Sequence, residues 1–504
     1  MLNYRLVLTG LAMLATGVAS ASADVKLPAI FGDNMVLQRD ARAAVWGWAE
    51  PGEQVTVKVG DREAAAKADE SGKWKLELAP MKAGGPVELS VSGKNTITLK
   101  NVLIGDVWVG SGQSNIDMPL SGAKNAAEEI STSAQPQIRL FNMPNRTAET
   151  PQADCAGRWV VCEPKRTANF SAVMYFFGRD LFKALAAPVG LIHTGKGGTP
   201  IDGWISRAGY EAEPKIKPIL DRWDASLKAA RDKAAPILAT RPDAKVSLPV
   251  ATNLPTCLFN AKIAPLIPLT IKGVIWYQGE SNANNAALYR VQMPALIADW
   301  RKLWGRDFPF FQVQLANFQA TSAQPVDAPW ARLREAQLKT WQSVKNTGMV
   351  VLIDVGDAHD IHPKDKQTVG ARLVLQVRAI AYGEKGLVYS GPVYKTMKVE
   401  GNTVRLTFDH VGSGLAARYR PGQTAALDGP AVPPLSGFAV AGEDRTFIWA
   451  EARIDGNVVI VSSDKVQKPL AVRYGWDGSP NCNLYNQEGL PATPFRTDDW
   501  PVGK

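Results

Sequence analysis

The chain has 504 residues, 45% hydrophobic and 21% charged; that suggests about three domains and excludes wholesale disorder. Past the first two dozen residues no apolar run is long enough to cross a bilayer, which argues against a polytopic membrane protein. The net charge of +9 is scattered, without a Lys/Arg block or interleaved aromatics, so nucleic acid is a poor candidate partner.

Residues 1–23 read as a secretory signal. Arg5 supplies the positive start, Leu6 to Val18 the short apolar core, and Ala21-Ser22-Ala23 a small-residue cleavage site before Asp24. The mature protein is therefore expected in the periplasm or outside the cell, with no membrane association once the signal is removed. In that setting the four cysteines (Cys155, Cys162, Cys257, Cys482) predict disulfides, with Cys155–Cys162 the favoured pair.

From 24 to 104 the apolar pattern has period two. Val55, Val57 and Val59 alternate, as do Trp74, Leu76 and Leu78, then Val87, Leu89 and Val91. Pro51-Gly52, Glu70-Ser71-Gly72 and Gly84-Gly85-Pro86 break the runs, and short strands at this spacing predict a β-sandwich domain. Between 105 and 385 the texture changes. Continuous apolar runs (Val107-Trp108-Val109, Val189 to Ile192, Gly273 to Trp276, Met349 to Ile353) alternate with helical patterns over 171–186, 285–304, 330–345 and 366–383. That alternation predicts a doubly wound α/β domain built on a parallel sheet. The polar, Pro-interrupted stretch 210–250 reads as an insertion on it. Past 385 the alternation of Val404, Leu406 and Phe408 predicts a second β module, 386–470. A C-terminal segment, 471–504, follows; whether it folds back onto the α/β domain is open at this level.

Sites in open α/β sheets lie beyond the carboxyl ends of the strands, and four such ends carry unusual residues. The first is Gly110-Ser111-Gly112-Gln113-Ser114-Asn115, where a serine on a Gly-flanked turn presents an unhindered hydroxyl and points its own N–H at an oxyanion. The second is Thr194-Gly195-Lys196-Gly197-Gly198-Thr199, whose glycines let backbone N–H groups approach a ligand. A P-loop reading of it fails, because Gly197 stands where the Mg²⁺-binding Ser or Thr belongs. The third is Trp276-Tyr277-Gln278-Gly279-Glu280-Ser281-Asn282, an amide and a carboxylate at a sheet edge. The fourth, Asp354 to Pro363, concentrates His359 and His362 with Asp354, Asp357 and Asp360, the materials for an imidazole base and its orienting acid. His359-x-x-His362 with Asp357 also has zinc-like spacing. His193 belongs in or beside the sheet, and His410 belongs to the later β module.

Taken together and in this order, the four segments resemble the SGNH hydrolase superfamily, and within it the sialate O-acetylesterase-like carbohydrate esterases. Further matching text includes Asn169 to Arg179, Gly198-Thr199-Pro200-Ile201-Asp202-Gly203-Trp204, Asp360-Ile361-His362-Pro363, Arg473-Tyr474-Gly475-Trp476 and Asn483-Leu484-Tyr485-Asn486. The resemblance implies an SGNH-type, flavodoxin-like sheet with flanking β-sandwich modules. It implies Ser114 as nucleophile, His362 as base and Asp360 as its acid, with an oxyanion hole from Ser114, Gly198 and Gln278. Asn115, Trp204 and Glu280 are the implied substrate contacts, with no metal and no cofactor. Two departures stand out. Lys196 replaces a usual tryptophan, and the residue three before His362 is His359 rather than an aspartate, which leaves Asp357 or Glu280 as alternative orienting acids.

The function expected is acetyl removal from the sugar hydroxyls of an O-acetylated carbohydrate, leaning to plant polysaccharide fragments such as xyloglucan, with a sialate ester as the alternative. A metal-dependent deacetylase on His359, His362 and Asp357, and a non-catalytic carbohydrate-binding protein, are the competing readings.

Overall fold

The computed structural model describes residues 24–241, 253–420 and 431–502. The signal segment and the end of the 210–250 insertion lie outside the described residues. The N-terminal strands are β1 (Val36–Gln38), β2 (Ala43–Trp48), β3 (Gln54–Val59), β4 (Arg62–Lys67), β5 (Lys73–Leu78) and β6 (Gly84–Ser92). β2 pairs with β5, and β3 lies between β4 and β6, all antiparallel. Val55, Val57 and Val59 of β3 and Trp74, Leu76 and Leu78 of β5 are buried at alternate positions and share one apolar cluster. The two small sheets thus close on a common core, as period-two patterning requires.

β6 then pairs with the first half of β7, a strand of 17 residues from Thr96 to Gly112. The boundary expected between 104 and 105 falls inside this strand. A single run of backbone serves both halves, pairing with β6 and β1 at its start and with two sheet neighbours at its end. No linker separates them.

The central sheet adds β8 (Gln135–Asn142), β9 (Trp159–Cys162), β10 (Val189–His193), β11 (Gly273–Tyr277), β12 (Phe310–Val313) and β13 (Thr347–Val350). Its order is β13-β12-β11-β7-β10-β8-β9, parallel throughout except for β9. Leaving out β8, the five strands at one end, β10-β7-β11-β12-β13, follow the second-first-third-fourth-fifth order of flavodoxin-like sheets, with a crossover reversal beside β7. β8 and β12 are absent from the sequence reading, because each run of consecutive apolar residues in them is too short to stand out.

Side chains alternate between two buried faces. Val107, Val109, Val274, Trp276 and Phe310 face the core that holds Leu296, Trp300 and Leu333, from the helices Ala286–Trp304 and Pro329–Ser343. Trp108, Leu191, Ile275, Tyr277 and Phe311 face the other, under the helices Ala172–Leu185 and Lys366–Ala381. All four helices lie within two residues of their expected bounds. The described part of the insertion is a helix of 24 residues, Lys217–Thr240, with Pro236 inside it.

The C-terminal segment supplies strands of its own. Ala471–Tyr474 pairs with Phe438–Ala441, and Leu484–Asn486 with Leu415–Ala417. It also reaches the α/β layer. The fully buried Arg334 guanidinium donates to the carbonyls of Leu315, Ala316, Asp477 and Gly478 at 2.7–2.9 Å.

Cys155 and Cys162 are both free thiols, so the expected Cys155–Cys162 bridge is not present. The reason lies in the packing. Cys155 packs against the core on one face and Cys162 is buried in the core on the other. Burial pushes both thiols up to about 12.

Candidate active site

β7 ends on Gly112, whose φ of +132° and tight approach to β11 exclude a side chain, since a Cβ would lie 2.1 Å from the Tyr277 carbonyl oxygen. The chain then turns into a short helix, Ser114–Asp117. Ser114 is the one partly exposed residue between Val102 and Ile116, so a hydroxyl reaches the surface from an otherwise buried strand end.

Its neighbours are tied to the other three polar segments singled out in the sequence. The Gln113 side-chain oxygen accepts from Gln278 Nε2 at 3.1 Å and from the Ser281 N–H at 3.2 Å, joining β7 to the loop after β11. Asn115 Nδ2 donates to Glu280 at 2.6 Å and to the carbonyl of Ile361, between Asp360 and His362, at 3.0 Å. Asp117 accepts the Gly197 N–H at 3.1 Å, which lays the glycine loop after β10 against Ser114. Lys262 secures the far side of that loop by donating to the Gly195 carbonyl at 2.9 Å.

His362 and Asp360 face each other, with Nδ1 3.4 Å from Asp360 Oδ1, and the same oxygen accepts the His362 N–H at 2.9 Å. Asp357 instead accepts the N–H of His359 at 2.8 Å, and both of those residues are exposed. No hydrogen bond joins Ser114 to His362 among the described residues. Their loops meet through Asn115 and Ile361, and such bonds often tighten only when substrate binds.

The Gly197 N–H is occupied by Asp117. Gly198 has φ +71° and open space where a Cβ would stand; its N–H and that of Ser114 take no backbone partner among the described residues. Gln278 departs from its implied role. It is fully buried, and its Nε2 lies 2.6–3.2 Å from Asn282, Gln113 and Thr199 oxygens, so both amide protons are already spent and the residue braces the strand ends. Trp204 also departs. It is fully buried against Trp276, with its indole N–H on Thr199, because Ile201–Trp204 turns inward beneath the helix that carries Trp300.

The electrostatics single out a buried pair, Glu280 and Lys366, of which the sequence marks only Glu280. Burial pushes the Glu280 carboxyl up, and its Oε2 is enclosed without a hydrogen-bond partner. Lys366 is fully buried, bonded to Asn115 Oδ1, and burial brings its ammonium down to about 7. Its position just past the His362-Pro363 motif, at a helix start, was the available signal. Burial holds His193 neutral, down to about 3. Among the described residues no group of three His, Cys, Asp or Glu side chains is placed to hold a metal ion.

A family model for carbohydrate esterase, sialic acid-specific acetylesterase, matches residues 257–377. The chain is 31% identical to the sialate O-acetylesterase of Mus musculus, across 96% of this chain and 97% of the mouse protein. It is 31% identical to that of Homo sapiens, across 94% and 93%. Among solved structures it resembles a carbohydrate acetylesterase from Xanthomonas citri, 38% identical with a TM-score of 0.80, covering 94% of this chain and all of that one (100%). These likenesses, on an α/β sheet with its polar residues gathered at the strand ends, define a hydrolase of carbohydrate esters. With the match running almost end to end, the chain belongs to the sialate O-acetylesterase family.

Proposed function

We propose that the chain is an exported carbohydrate O-acetylesterase working through an acyl-enzyme on an SGNH-type site. His362, oriented by Asp360, takes the proton of Ser114 as its oxygen attacks an acetyl carbonyl. The Ser114 and Gly198 N–H groups receive the oxyanion. The sugar oxygen leaves with the proton from His362, and water repeats the sequence on acetyl-Ser114, releasing acetate. No step calls for a metal.

The observation that carries the reading is the 3.0 Å bond from Asn115 to the Ile361 carbonyl, which ties the serine turn to the histidine loop. Asp360 is favoured over Asp357 because only Asp360 faces His362. Glu280 faces Asn115 and is assigned to bracing rather than to the histidine.

For the substrate, acetylated polysaccharide fragments of the xyloglucan type are the first reading, supported by the signal-like segment and by the 38% identity to a bacterial carbohydrate acetylesterase. Sialate esters are the second, supported by the names of the mammalian relatives. Acetate release from O-acetylated xyloglucan fragments, xylan fragments and O-acetyl sialic acid decides between them. Fastest turnover on the sialate would reverse the order. Turnover lost with EDTA and indifferent to Ser114→Ala would overturn the mechanism.

A further inference from the structure

We infer that Lys366 is a positioning residue for the acyl transfer: its ammonium fixes the Asn115 amide, and that amide holds the Asp360–His362 loop against the turn that carries Ser114. The inference rests on the roles proposed above for Ser114 and His362.

The backbone position does not favour a lysine here. It is the first residue of the helix Lys366–Ala381, where the helix dipole disfavours a cation, and it is 0% exposed, a state long charged side chains adopt only when paired. Its position makes sense through Asn115. An amide has two distinct ends, one accepting and one donating. With Lys366 Nζ on Oδ1, the Nδ2 end must face Glu280 and the Ile361 carbonyl, as it does at 2.6 and 3.0 Å. Turning the amide over would set NH₂ against an ammonium, and its oxygen against a carboxylate and a carbonyl. The ammonium therefore permits one orientation only, and that orientation carries the tether between the two catalytic loops.

The groups facing Lys366 come from every surrounding element. Glu280 and the Tyr277 ring (5.3 Å from Nζ) come from β11 and its loop, Asp360 from the histidine loop, and Asp365 from the helix start; His362 acts on the same cluster through Glu280. Burial opposes the ammonium more than the three carboxylates favour it and brings it down to about 7, so the charge is present on the acid side of that value and given up as pH rises through it.

The test is the kcat profile of the full chain on p-nitrophenyl acetate from pH 6 to 10, for wild type, Lys366→Met, Lys366→Gln and Ser114→Ala. Wild-type kcat should fall on the alkaline side as Lys366 loses its proton. Both Lys366 variants should lose about 10–100-fold in kcat with KM within about threefold, the scale set by small misplacements of reacting groups. Their residual activity should lack the alkaline fall. Variant kcat within twofold of wild type, or a variant that keeps the alkaline fall, overturns the inference. Where neither variant folds, as read by circular dichroism, a wild-type profile flat from pH 7 to 10 overturns it and an alkaline fall upholds it. Ser114→Ala with wild-type turnover would instead remove the reading on which the inference stands.

Discussion

At the scale of single residues, the catalytic reading makes sharp demands. Ser114→Ala should cut ester turnover by on the order of 10³-fold or more while leaving the thermal midpoint unchanged, since the hydroxyl is partly exposed and braces nothing. Asp360→Asn should lower kcat by up to about 10⁴-fold, because the wrong histidine tautomer is then favoured. Asp357→Asn should stay close to wild type, and steady-state kinetics on the pair settle which acid orients His362. His193 gives a stability test. Its folded value is depressed to about 3, against about 6.5 when unfolded. Between those values unfolding takes up a proton, so stability falls as pH drops through that window. His193→Gln should flatten the fall, read as thermal midpoint against pH from 4 to 7. The proposed roles were only partly legible beforehand. Ser114, Asp360 and His362 announce themselves by residue type and motif, whereas the saturated amide of Gln278 and the burial of Trp204 depend on neighbours distant in the chain.

At the scale of elements, the helices were the most legible. Their 3.6-residue periodicity and starts next to Pro329 or Asp365 are local signals, and the four that flank the central sheet were placed within two residues, whereas Lys217–Thr240 was read only as a polar insertion. The two helices on one face, Ala172–Leu185 and Lys366–Ala381, meet where a Cβ on Gly370 would lie 2.6 Å from Phe176 Cβ. Gly370→Ala should therefore cost about 1–3 kcal/mol through overpacking despite the better helix propensity of alanine, measured as a lowered urea midpoint. A neutral or raised midpoint would mean the helices can separate freely. The Cys155–Cys162 expectation failed at this scale. Sequence proximity does not say which core a residue joins: Cys155, in the loop before β9, packs against one cluster and Cys162, at the end of β9, lies in the other.

At the scale of the whole molecule, β7 and Arg334 knit regions that sequence texture divides. β7 runs from the N-terminal sheet into the centre of the α/β layer, so the two cannot be separated at 104 without cutting a strand. Arg334 joins the helix Pro329–Ser343 to the carbonyls of Asp477 and Gly478. Arg334→Met would take the arginine donor from the buried carbonyls of Leu315 and Asp477, at about 1–3 kcal/mol each, while those of Ala316 and Gly478 keep Trp330 and the Phe318 N–H. It should lower the unfolding midpoint strongly and expose the region beyond 470 to proteolysis before the rest of the chain. Simultaneous cleavage throughout would mean that the segment is held by its strand pairing alone.

The sequence by itself determined the alternation of strands and helices, the strand ends that carry polar residues, and the serine, aspartate and histidine set among them. Each is written in local periodicity or in residue types that chemistry restricts. Only the tertiary structure decided that Gln278 is spent on its neighbours, that Trp204 is core, that the thiols stand apart, and that a buried lysine steadies Asn115. Those facts concern which distant groups meet in a water-poor interior, where hydrogen bonds and charges acquire their strength from surroundings that no stretch of sequence specifies alone.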